Sequence, residues 1–125
     1  MNPDRNVVGW FEIYVQDMAR ARAFYQNTFE VKLERLANPE LELWAFPGQP
    51  DNAGCSGALV RMEGKDSGTG GTIVYFSCDD CAVTAARAVE NGGKVHMPKT
   101  SIGQYGFIAL IYDTEDNMIG LHSLQ

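Results

Sequence analysis

The segment Val7-Val8-Gly9-Trp10-Phe11-Glu12-Ile13-Tyr14-Val15, running on into Gln16-Asp17-Met18, reads as a strand that meets a helix. Its β-branched and aromatic residues favour extended backbone, and Asp17 offers the side-chain oxygen that caps a helix start. Residues 18–29 continue as that helix: Met18, Ala21, Phe24, Tyr25 and Thr28 recur at spacings of three and four, giving one side to lay on a sheet. Further out, Val31 to Leu36 alternates as a strand, Asn38-Pro39 turns, and Leu41 to Phe46 is another strand. Pro47 to Gly54 is a loop leading into the strand Gly57-Ala58-Leu59-Val60. The order is β-α-β-β-β.

After a polar, glycine-rich link from Gly64 to Gly71 the same order returns. Thr72 to Cys78 is a strand, Asp80 a cap, and Cys81 to Glu90 a helix stopped by Asn91-Gly92-Gly93, where glycine permits the left-handed turn. Lys94 to Met97, Gly106 to Tyr112 and Ile119 to Ser123 are the remaining strands, with Asp113 to Asn117 turning the last pair. Asp80 stands 63 residues beyond Asp17, and Gly120 stands 63 beyond Gly57, so cap falls on cap and glycine on glycine. This spacing predicts an internal duplication, with modules at about residues 6–63 and 71–125 forming one domain, 1–125, of the α+β class.

Composition sets the boundaries. With 125 residues, 45% hydrophobic and 21% charged, the chain has the balance of a globular domain large enough to need no disulfide framework, and a disordered or fibrous protein is excluded. Ten Lys plus Arg against 16 Asp plus Glu leave a net charge of -6. With no basic run, that charge argues against nucleic acid as a partner. The longest apolar stretches fall short of the ~20 residues of a membrane helix. Three cysteines, Cys55, Cys78 and Cys81, and an opening without a basic-then-apolar leader predict a cytoplasmic protein.

Alternation along the strands sorts their faces. Phe11, Ile13 and Val15, with Val74, Phe76 and Cys78 63 residues later, are all apolar and belong under the helices. The opposite side carries Trp10, Glu12 and Tyr14, matched by Ile73, Tyr75 and Ser77, a mixture suited to a cavity wall. By the same spacing Gly120 and His122 join this side from the last strand, matched by Gly57 and Leu59.

Two such modules, with "WFEIYVQDM" closing the first strand, "ARAFY" following, "NGGKV" in the second half and "DTEDNMIGLH" near the end, resemble the vicinal oxygen chelate superfamily. That family includes glyoxalase I, extradiol dioxygenases, methylmalonyl-CoA epimerases, fosfomycin-resistance transferases and bleomycin-resistance proteins. The resemblance covers about residues 6–123. It implies two curved mixed sheets around a cleft, the glyoxalase/bleomycin-resistance/dioxygenase fold, and a homodimer, but no particular reaction.

Metal-dependent members take one ligand from the first strand of each module and one from the last. The resemblance puts these positions on Trp10, Ile73, Gly57 and Gly120, none of which donates an electron pair to a hard cation. No metal or other cofactor is therefore expected. Glu12 and His122, each two residues beyond an emptied position, are the only good candidates for a displaced site or for acid–base catalysis; His96 is the one other histidine. A carboxylate flanked by Phe11 and Ile13 must be hydrogen-bonded, paired or cleft-facing, so Glu12 reads either as a general base or as a structural acid bonded to a tyrosine. Trp10, Glu12, Tyr14, Tyr75 and Tyr105 are the candidate ligand-binding residues, with packing as the alternative role for Trp10.

Cys78-Asp79-Asp80-Cys81 has redox and zinc spacing, but it lacks a second pair and a thioredoxin-like order, so a structural role is the better reading. Gly68, Gly70 and Gly71 form no phosphate loop, and Met18, Phe24 and Tyr25 read as helix packing. Two functions are open: a metal-free module that binds a small organic molecule in an aromatic cleft, and a lyase or isomerase acting on a carbonyl-containing substrate with Glu12 as base.

Overall fold

The computed structural model of the chain describes residues 5–125; the opening at residues 1–4, read above as leaderless, lies outside them. The first module is β1 (Val8–Tyr14), α1 (Met18–Phe29), β2 (Glu34–Leu36), β3 (Glu42–Ala45) and β4 (Ser56–Arg61). The second is β5 (Thr72–Ser77), α2 (Cys81–Glu90), β6 (Lys94–Ser101), β7 (Phe107–Tyr112) and β8 (Met118–Ser123), with a 3-10 turn at Gly103–Tyr105. The α+β class and the twice-repeated order are as expected. Both caps form: the Asp17 carboxylate accepts from the Arg20 N–H at 3.0 Å and Asp80 from the Ala82 N–H at 2.9 Å. Gly92, at φ +96°, turns the chain after α2 as the sequence requires.

By compactness the chain divides into Trp10–Ile73 and a second unit in which residues up to Gly9 join Val74–Gln125. In the first unit the strand order is β2-β3-β4-β1, with β1 parallel to β4 and the other pairs antiparallel. Val15, Met18, Leu33 and Leu59 are buried together, and Ile13, Ala21, Tyr25, Trp44 and Phe46 pack against them. In the second unit the order is β5-β8-β7-β6, with β5 parallel to β8. Its core is Cys81, Ala85, Ala109, Ile111 and Leu121, with Phe76 and Cys78 beside them. Ile13, Val15, Phe76 and Cys78 thus lie under the helices, as alternation predicts.

Several expectations change: the strand read from Val31 is confined to Glu34–Leu36, and Phe24 and Thr28, read as part of the sheet-facing side of α1, are exposed. The strand read at Lys94–Met97 runs on to Ser101, because β6 pairs with β7 alone and its register shifts, which places Pro98 in an irregular outer strand where a missing N–H costs little. The closing strands are the larger correction. Glu12 lies opposite Ala58 and Ile13 opposite Leu59, while Tyr75 lies opposite Gly120 and Phe76 opposite Leu121. From β1 to β5 the repeat is therefore 63 residues, but from β4 to β8 it is 62. Ala58, not Gly57, is the counterpart of Gly120, and Val60, not Leu59, that of His122. Leu59 is 0% exposed within the helix-side core, and a side chain at Gly57 would run into Phe11. Both belong to the helix side, not to the face that carries Trp10 and Glu12.

Two surface carboxylates make the fold sensitive to acid. A hydrogen bond from Lys99 Nζ at 3.0 Å, then the Ala82 N–H, hold Asp80 below the usual carboxylate range. The Asn117 side chain and backbone, with the Glu115 N–H, do the same for Asp113 in the β7–β8 turn. A carboxylate whose folded value is lowered adds stability above its unfolded value of about 3.9, and loses it as pH falls through the lowered value. The urea midpoint should therefore drop as the pH is taken below about 4, and it should drop less in an Asp80→Asn/Asp113→Asn double variant. Parallel pH profiles for the two proteins would refute this.

Candidate functional site

β1 sets out three side chains on the face away from α1. The alternation that sends Ile13 and Val15 into the core sends Trp10, Glu12 and Tyr14 the other way. There the Tyr14 hydroxyl donates to Glu12 Oε1 at 2.8 Å, and the Trp10 indole N–H points to Oε2 at 3.4 Å. Both contacts join residues two apart on one strand, so extended backbone alone brings the partners together. Tyr14 is only 6% exposed, whereas Trp10 and Glu12 are half-buried, so the indole and the carboxylate are the parts of this cluster most open to solvent. Lys65, from the glycine-rich link, sets its ammonium 5.4 Å from the centre of the Tyr14 ring. Alternation could not reveal Lys65, because it stands in an aperiodic segment.

The second unit brings together other candidates. Tyr75 is 5% exposed, and its ring covers Gly120 so closely that a Cβ there would meet three ring carbons. His122 Nε2 lies 2.6 Å from the Tyr105 carbonyl oxygen. That oxygen only accepts, so Nε2 is the donor of this bond. Tyr105 itself is 47% exposed in its 3-10 turn.

The positions that the family resemblance assigns to a metal do not fit one. The Trp10 nitrogen is an N–H turned toward Glu12, Gly57 has no side chain and Ala58, which the strand register puts in its place, is hydrocarbon, as is Ile73, and Gly120 is roofed by the Tyr75 ring. Among the described residues no group of three or more His, Cys, Asp or Glu side chains gathers. Burial pushes the Cys78 thiol up, opposed by a hydrogen bond with Thr84, and Cys81 is fully buried. A reactive thiol needs the reverse, in keeping with a structural role for this pair.

Two hollows open at the helix starts. One, of about 330 Å³, is lined by Val15, Asp17, Ala21 and Phe24; the other, of about 340 Å³, by Cys78, Asp80, Thr84 and Arg87. Each lining residue of the second stands 63 positions after its counterpart in the first, so these hollows are a product of the repeat. Neither includes Trp10, Glu12, Tyr75 or His122.

A βαβββ unit given twice, with a parallel pair between its first and last strands, defines a recognisable class. The model of the Glyoxalase/Bleomycin resistance protein/Dioxygenase superfamily matches residues 7–121, and the chain belongs to that superfamily. A glyoxylase-like domain-containing protein of Didymella fabae is 28% identical over 114 residues, 88% of each chain. Methylmalonyl-CoA epimerase of Mycobacterium tuberculosis shares the fold at a TM-score of 0.68 and 15% identity, over 95% of this chain and 88% of that one. A hypothetical protein of Bacillus halodurans C-125 does so at 0.72 and 10%, over 94% of each. Among the described residues no helix is long and apolar enough to cross a membrane.

Proposed function

We propose that this chain is a metal-independent, small-molecule-binding member of its superfamily, holding an organic ligand against Trp10 and Glu12. The donor set carries this reading: at the positions that the family resemblance gives to metal ligands, this chain has Trp10, Gly57 (Ala58 by the strand register), Ile73 and Gly120. What the face offers instead is an oriented carboxylate between two aromatic rings, a combination that recognises organic molecules. A lyase or isomerase acting on a carbonyl compound is the second reading. It is supported by the fixing of Glu12 by two donors, which suits proton abstraction, and by the epimerases that share the fold. The working form is a cytoplasmic homodimer with no nucleic-acid partner, as the acidic charge and the family pattern suggest.

One native mass spectrum of the purified protein tests these points. We expect the mass of two chains, no stoichiometric metal, and a co-purifying organic molecule that Glu12→Gln releases. A metal ion retained by each chain after dialysis against a weak chelator would defeat the metal-free reading, and a monomer at micromolar concentration would defeat the dimer. With Glu12 held for ligand chemistry, Glu12→Gln should leave stability within about 1 kcal/mol of the parent. A larger loss of stability, with the ligand still bound, would return Glu12 to a structural role.

A further inference from the structure

We propose that Asn91 is a conformationally gated modification site: the folded chain protects it from deamidation, and opening of the last turn of α2 exposes it to the reaction.

Asn91-Gly92 is the one Asn-Gly pair in the sequence. Glycine has no side chain to shield its backbone nitrogen, which can attack the carboxamide of the preceding asparagine. In that reaction the Gly92 nitrogen gives up its proton and bonds to Asn91 Cγ, and the Cγ–Nδ2 bond breaks as ammonia leaves with the proton. Water then opens the five-membered imide at either carbonyl, giving aspartate or isoaspartate. Both residues are exposed, so water and base reach them.

Three features of the helix end hold the reacting atoms apart. The angle ψ relates the nitrogens of consecutive residues, and at ψ 20° the nitrogen of Asn91 nearly eclipses that of Gly92. Cβ is then turned well away round the Cα–C bond, and Cγ cannot reach the nucleophile. Asn91 Nδ2 donates to the Arg87 carbonyl at 2.8 Å, which keeps the carboxamide back along the helix. The Gly92 N–H donates to the Val89 carbonyl at 3.2 Å, so the proton that must leave is engaged. Fraying of the final turn releases all three together, and helix ends open more readily than the fold as a whole.

The product cannot re-form this turn. Isoaspartate adds a carbon to the main chain where there is no slack. The Gly93 N–H donates to the Ala88 carbonyl at 2.9 Å, a Cβ on Gly93 would lie 2.7 Å from the Tyr112 carbonyl oxygen, and the next residue, Lys94, already pairs with Tyr112. Either acid also loses the donor to Arg87 and puts negative charge at the negative end of the helix. Modification therefore loosens the junction of α2 and β6.

The test incubates the intact chain at mildly alkaline pH, folded in buffer and unfolded in concentrated urea. Digests are read by mass for replacement of amide by acid, and by enzymatic methylation for isoaspartate. Asn91 should convert at least about tenfold more slowly in the folded chain. In urea below the unfolding transition its conversion should already accelerate. Gly93→Ala crowds the turn without touching the Asn-Gly pair, and should raise the folded rate severalfold; should that variant fail to fold, the urea series on the parent decides. Equal rates in folded and unfolded chains would overturn the protection, and no conversion in the unfolded chain would overturn the site. An unchanged rate in folded Gly93→Ala, or acceleration only in step with global unfolding, would overturn the turn as the gate.

Discussion

Gly120→Ala is expected to destabilise the protein by about 1–3 kcal/mol, and Gly120→Glu by more, without creating a metal centre. A Cβ on Gly120 meets the Cδ1, Cε1 and Cγ atoms of Tyr75, a ring only 5% exposed and directly opposite across the parallel β5–β8 pair. The ring must tilt away or the strands must part, and a glutamate adds a charge to a closed site. Urea denaturation reads the effect. Combining Gly120→Ala with Tyr75→Ala should recover about 1 kcal/mol or more relative to additive behaviour. A fully stable Gly120→Ala protein would mean that Tyr75 does not cover this glycine.

Leu59→Ala should cost about 2–5 kcal/mol and leave ligand affinity in the remaining folded protein unchanged. Leu59 is wholly buried with Val15, Met18 and Leu33, so its truncation leaves a cavity under α1. The reading that put Leu59 on the ligand-facing wall requires the opposite pattern, a mild effect on stability and a change in binding. Thermal melts and ligand titrations on the one variant therefore decide which face of β4 is which.

Much of this molecule could be read before its structure. Asp17 and Asp80 cap their helices because a short acidic side chain before an amphipathic run has one good use. The faces of β1 and β5 followed from alternation, and the Trp10, Glu12 and Tyr14 cluster came with them. The face of β4 did not, for a reason in the chain itself. Gly57 and Gly120 matched at the helix spacing by coincidence of residue type, while the register differs by one. Strand alternation inverts on a shift of one residue, so the match carried Leu59 to the wrong side. Lys65 beside Tyr14 and the Arg22 guanidinium over the Trp44 ring were not legible, since both depend on where a long flexible side chain comes to rest.

That one-residue difference bears on how such a chain can be altered. Between helix cap and closing strand the second half is one residue shorter than the first, yet the strand pairs Glu12 with Ala58 and Tyr75 with Gly120 remain in step. The change was thus absorbed outside the paired strands, since within β4 or β8 it would have exchanged core and surface along the whole element. Loops such as residues 47–55 can accept an insertion or a tag, while a single codon lost from β4 would turn Leu59 outward and bring its neighbours in.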